Sequence, residues 1–306
     1  MDEPDWRARQ AAHRARVLPW IQPRLARKSV GDQHPVDDFL FDYYPYSTAR
    51  LSAWHPGWGV TLEGGVHEFL EQPGYRAQGS GATLTDGGLA KRAGRLGRAR
   101  AILEATADRA PQFSCFGMHE WAMVHRLGAD DLRHASHRLR LTQDEIAEVV
   151  HGVGLRCTHF DAYRFFTSEA IPLNLTVLTR EAQVQDEQPG CVHAAMDLYK
   201  YAMWAYPYLP SELVADCFAL ARSARELDMQ ASPYDLIDLG YAPITVETAD
   251  GRVEYSRRQR ELAATAAILR ARLLSSLDLL TAAAEDLGKA AAPVVQNGQP
   301  QFAAAP

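Results

Sequence analysis

The chain lacks the features that would place it in a membrane, in an oxidising compartment or in a repeat array. No apolar run approaches the ~18 residues that a spanning helix needs, so no membrane role is expected. The opening residues Met1-Asp2-Glu3-Pro4-Asp5 are acidic and no apolar stretch follows, so no secretory signal is expected. Cysteine is scarce. The four, at 115, 157, 191 and 217, form no CxxC pair, which suits a reduced, cytoplasmic protein better than a disulfide framework. No solenoid period is visible. An excess of positive charge is also missing. The net charge of −6 argues against wholesale nucleic-acid binding. Two basic stretches qualify this: Arg7, Arg9, Arg14, Arg16, Arg24, Arg27 and Lys28, then Lys91, Arg92, Arg95, Arg98 and Arg100. They read either as solvated helix faces or as phosphate contacts.

What remains is an ordinary globular composition, 47% hydrophobic and 23% charged over 306 residues, enough for a substantial core. The pattern predicts a mainly α protein with a few short strands (α+β). A basic helical segment, 1–30, precedes one compact domain, 31–289, and a disordered tail, 290–306, follows. The first helix is expected to break near Pro19 and Pro23. Helices are predicted over 36–41, 89–108, 118–127, 190–206, 211–228 and 256–288. Thr142-Gln143-Asp144-Glu145 is a capping box opening another, and Ser211 is a candidate N-cap. Strands are predicted over 75–85 and 155–160. The alternation on either side of Ala249-Asp250-Gly251 reads as a hairpin.

Three segments each crowd a cysteine, a histidine and an acid: Cys115, His119 and Glu120; Cys157, His159 and Asp161; Cys191, His193 and Asp197. On a strand, Cys157, His159 and Asp161 would share one face. On a helix, His193 and Asp197 lie one turn apart, and Tyr201 and Trp204 continue that face. Such groups do acid–base work or hold a metal. A 2-His-1-carboxylate set from His159, Asp161 and His193, aided by His119 or Glu120, would take iron or zinc. Buried histidines that merely tie a strand to a helix are the structural alternative. Glu120, in a first helical turn, reads equally as an acid/base residue or a cap. Trp121, Tyr163, Tyr201 and Trp204 would stack a flat substrate or fill core.

The strings His34–Phe41, Cys115–Val124, His159–Phe166, Glu187–Lys200 and Asp228–Leu236 also resemble an actinobacterial family known as 3-methyladenine DNA glycosylase, over about residues 5–265. The resemblance implies DNA as partner and an N-glycosidic hydrolase that releases alkylated bases without a cofactor. Asp161 and Asp197 would then stabilise the sugar cation, with His159 and His193 orienting them. Glu120 would assist, and Trp121, Tyr163, Tyr201 and Trp204 would hold the flipped base. The metal-dependent reading keeps a small-molecule substrate instead.

Overall fold

The computed structural model describes residues 1–128 and 137–291. Helix dominates, and the strands among the described residues form one antiparallel hairpin, Tyr75–Gln78 with Gly81–Leu84. The tail predicted from residue 290 lies, beyond Ala291, outside the described residues.

The first helix, Glu3–Ser29, runs unbroken through Pro19 and Pro23. This corrects the predicted interruption. Trp6, His13, Val17, Ile21 and Arg24 fall at helical spacing and are all buried. Burying each large apolar side chain contributes about 1.5–3 kcal/mol. That stripe offsets prolines that cost about 3 kcal/mol each in a helix interior. The helix shares the core of the rest of the chain, so residues 1–30 are part of the packed body.

The centre of the molecule is built from three helices. Val192–Trp204 and Ser211–Gln230 pack on each other, and both pack on the long helix Ala249–Ala291, which also covers Ala93–Ala107. The first two are buried on nearly every face. Asp197 on the first and Arg225 and Asp228 on the second are therefore enclosed, and this is what makes the site below. Ser211 does not cap its helix. Pro210 holds that position, and the Ser211 hydroxyl accepts from the His55 N–H instead.

Two predicted β elements are helix or loop. The segment 155–160 makes a single parallel bridge, Leu155 with Asn174, and then turns helical at Phe160–Tyr163. The Asn174 side chain takes the role of a partner strand: its Oδ1 accepts from Cys157 N at 2.8 Å and its Nδ2 donates to Cys157 O at 3.1 Å. One amide thus satisfies both backbone groups, and no ladder follows. The alternation around 249–251 is not a hairpin. Thr248 Oγ1 accepts from Gly251 N at 3.1 Å, capping the first turn of the long helix. Gly251 is required there because a Cβ would sit 2.0 Å from Thr245 O. The helix predicted over 118–127 is shorter, Met118–Val124, with His125 at its C-cap.

The Thr142 capping box is present, with reciprocal bonds to Glu145, opening the helix Gln143–Val153. Thr142→Ala is expected to cost about 1 kcal/mol. Urea denaturation would show this as a lower midpoint at unchanged slope.

Candidate functional site

Gly117 caps the Met118–Val124 helix at φ 70°, in the left-handed region. A Cβ there would also press on Ala231 and the Tyr255 ring at 3.1 and 3.3 Å. This glycine lets the short helix enter the core, and all seven of its residues are buried. His119 and Glu120 are thereby carried inside. Opposite them, Arg225 and Asp228 lie one turn apart on the Ser211–Gln230 helix, 1% and 0% exposed. Arg225 Nη1 donates to Glu120 Oε1 at 2.7 Å and to Asp228 Oδ2 at 3.1 Å. The other Asp228 oxygen, Oδ1, lies 2.6 Å from His119 Nε2. Apart from this contact, neither of these buried atoms has a hydrogen-bond partner among the described residues. His193 completes the group, its ring edge-on to His119 with centroids 4.3 Å apart. One ligating atom from each of His119, His193 and Asp228 falls within 4.8 Å of the others.

A second group adjoins the first. The His159 ring stacks on His193 at 5.3 Å. Its Nδ1 is 3.3 Å from Glu187 Oε1 and its Nε2 3.6 Å from Asp197 Oδ2. These carboxylates are already engaged. Tyr44 donates to Asp197 Oδ1 at 2.7 Å, Lys200 binds Asp197 Oδ2, and the Gln183 amide donates to Glu187 Oε1. Asp161 sits further out and is paired with Arg180 at 3.0 Å and Lys200 at 3.3 Å.

The electrostatics separate the three histidines. Burial pushes His119 down, but Asp228 and Glu120 more than offset it and hold its pKa above the ordinary value. Burial likewise lowers His159, and Glu187 and Asp197 bring it above. For His193 the relief from Asp228 is not enough. Burial, with repulsion from His119, holds it well below, so it is a neutral imidazole with one ring-nitrogen lone pair to offer.

A narrow cavity of about 10 Å³, room for about one water, opens beside this group. His119, His193 and three thiols line it: Cys115, Cys157 and Cys191. All four cysteines are free. Burial pushes Cys157 up to about 12 and raises Cys115 and Cys191 as well, so these are protonated thiols at neutral pH.

The three Cys/His/acid segments therefore meet, but not as a strand stripe. Cys157 faces the cavity, His159 is turned toward Glu187 and Asp197, and Asp161 points to cations at the edge. Glu120 is tied to Arg225 rather than facing the cavity. None of the four aromatic residues lines the cavity. Trp121 is fully buried and donates to Ala231 O at 2.8 Å. Tyr163 packs on Phe166, Tyr201 on Trp204, and Arg95 covers Trp204. Sequence reasoning left Asp228 without a role and did not select Glu187, Lys200 or Arg225. A usable signal was present. Arg225 and Asp228 recur at helical spacing within an otherwise apolar stripe of Ala221, Ala224 and Leu227, where a charge must be paired if it is buried.

The first basic stretch is largely spent on internal pairs: Arg7 with Glu3, Arg9 with Glu212, Arg16 with Asp216, and Arg27 with Asp38. In the second, Arg100 pairs with Glu104 and Asp278. No described helix is long and apolar enough to cross a membrane. No protein-family model, curated protein or solved structure matches the chain.

Proposed function

We propose that the protein is a metal-dependent enzyme acting on a small molecule, with one divalent transition-metal ion held by His119, His193 and Asp228. One observation carries this. His119 Nε2 and Asp228 Oδ1 are buried 2.6 Å apart with no other partner, and His193 brings a third ligating atom within 4.8 Å of both. Three ligating atoms so close together can share one ion. An ion bonded at about 2.0–2.2 Å to nitrogen and oxygen would satisfy both and draw in the neutral His193. The donor set is two histidines and one carboxylate, suited to iron or zinc. It keeps His193 and His119 from the sequence reading and replaces His159 and Asp161 by Asp228. The neighbouring His159–Glu187–Asp197 group supports the first by packing, because Lys200 already supplies its cation. A bound ion contributes Lewis acidity to the cavity. Arg225 holds Asp228 through Oδ2 and would act as an outer partner setting the orientation of the ligand oxygen Oδ1. The free thiols accord with a reducing, cytoplasmic setting.

Base excision from DNA, the activity the resemblance implies, needs an opening wide enough for an extruded base. The cavity holds about one water.

Metal analysis after anaerobic reconstitution with Fe(II), Mn(II) or Zn(II) tests the proposal. Near-stoichiometric uptake is expected. His119→Ala, His193→Ala and Asp228→Asn should each lower it by tenfold or more, on the order of one or more lost ligands, while His159→Asn leaves it intact. Absence of uptake by the folded wild type, or base release from alkylated duplex in the presence of a chelator, would overturn it.

A further inference from the structure

A second site lies on the flank of the long Ala249–Ala291 helix, away from the histidines. Ala263, Ala267 and Ala271 recur there at one-turn spacing, so the helix offers a flat apolar floor. Leu274, Phe113 and Pro189 complete the walls of a cleft of about 530 Å³. That volume is in the range of small-molecule sites. Arg270 lies in the wall and is 2% exposed. Its Nε and Nη2 are sealed from solvent and make no hydrogen bond, so Nη1 is the edge a ligand in the cleft would meet, and no ion pair involves Arg270 among the described residues. Burial lowers the pKa of this guanidinium, with Glu187 acting weakly the other way. Leaving such a charge buried without a partner is costly, which is why buried charges are normally paired.

The other two arginines of the cleft are accounted for. Arg109 donates to Glu187 O at 2.7 Å and to Val184 O at 2.6 Å, bracing the wall. Arg260 lies over the Phe113 ring at 5.0 Å, at the rim. One guanidinium is unspent, and it adjoins an apolar floor. A carboxylate at Nη1 would accept a charge-assisted hydrogen bond and answer the charge. A phosphate dianion would bring a second charge that no buried cation answers.

We propose that this cleft binds a small monocarboxylic acid with an apolar body, its carboxylate on Arg270 and its hydrocarbon along Ala263, Ala267 and Ala271. The site is independent of the metal proposal, since none of His119, His193 and Asp228 lines the cleft.

Calorimetric titration of the full chain with octanoate, and with octanol as the uncharged control, tests it. Saturable octanoate binding is expected, with octanol at least about tenfold weaker, the scale of one charge-assisted hydrogen bond. Arg270→Met should reduce octanoate affinity by about ten- to hundredfold and leave octanol unchanged. Without ligand, the same variant should melt no lower than wild type, because an unpaired buried charge has been replaced by an apolar chain of similar length. Ala267→Trp keeps Arg270 and fills the cleft, so it should abolish binding of both ligands even if Arg270→Met folds poorly. Equal affinity for octanol and octanoate, no saturation below about 10 mM, or full octanoate binding by Ala267→Trp would each overturn the proposal.

Discussion

Arg225→Met is expected to cost about 3–5 kcal/mol of folding stability, the loss typical of breaking a buried ion pair from one side. Arg225 is 1% exposed and bridges Glu120 and Asp228 from within the core. Its guanidinium also lies over the Phe39 ring at 3.8 Å. Methionine would keep much of the stem volume but leave two carboxylates beside His119 without the guanidinium between them. Glu120→Gln added to Arg225→Met removes one stranded charge and should recover a good part of the loss. A divalent ion bound at His119, His193 and Asp228 would replace the missing positive charge in another way, so the single variant should gain more stability from added metal than wild type does. Urea melts of the variants, with and without metal, measure all of this. A loss below about 1 kcal/mol for Arg225→Met would mean that the carboxylates take up protons or water and are not held by the arginine.

The helices that frame the site are legible in the sequence because their signals are local. The 192–204 helix is bounded by Gly190 and Pro207, and Thr142 with Glu145 marks the start of another. The places where the reading fails are those where a distant residue decides. Nothing local says that Asn174 will satisfy Cys157 in place of a strand. Nothing local says that a buried stripe from Trp6 to Arg24 will hold a helix together through two prolines. At 244–255 the alternation is genuine, but Thr248 supplies a helix cap and the long apolar face of 249–291 outweighs a two-stranded ribbon that would be marginal alone.

The same division runs through the site. Shared composition marks Cys115, His119, Cys157, Cys191 and His193, and these five do line one cavity. Composition does not say which carboxylate faces the histidines. Asp161 and Asp197 stand beside histidines in sequence, yet cations and a tyrosine hydroxyl take up their oxygens. Asp228 has no histidine near it in sequence and reaches His119 only because two helices cross. Sequence proximity selects candidates, and three-dimensional pairing decides which of them has an oxygen to spare.

Acid should weaken the fold through His55, a residue far from the candidate metal ligands. His55 is 5% exposed, between the hydroxyls of Tyr75 at 2.9 Å and Tyr206 at 2.7 Å. A neutral imidazole suits that position, accepting from one phenol and donating to the other. Burial, with a smaller repulsion from His13, pushes its pKa down to about 4. Because the folded value lies below the unfolded value of about 6.5, the unfolded chain takes up this proton first as pH falls. The contribution of His55 is therefore complete above about pH 6.5, and about 3 kcal/mol of it is lost by pH 4. His13, His34, His125 and His193 are lowered too and act in the same direction, whereas His119 and His159 are raised and act in the opposite one. His55→Gln isolates the one term. Glutamine offers both an acceptor and a donor to the tyrosines but does not titrate. The variant should be less stable than wild type at pH 7, and the gap should close by about 3 kcal/mol on going to pH 4. Denaturant melts of both proteins across that range provide the measurement. A gap that stays constant with pH would show that the two tyrosines hold His55 equally well in either charge state.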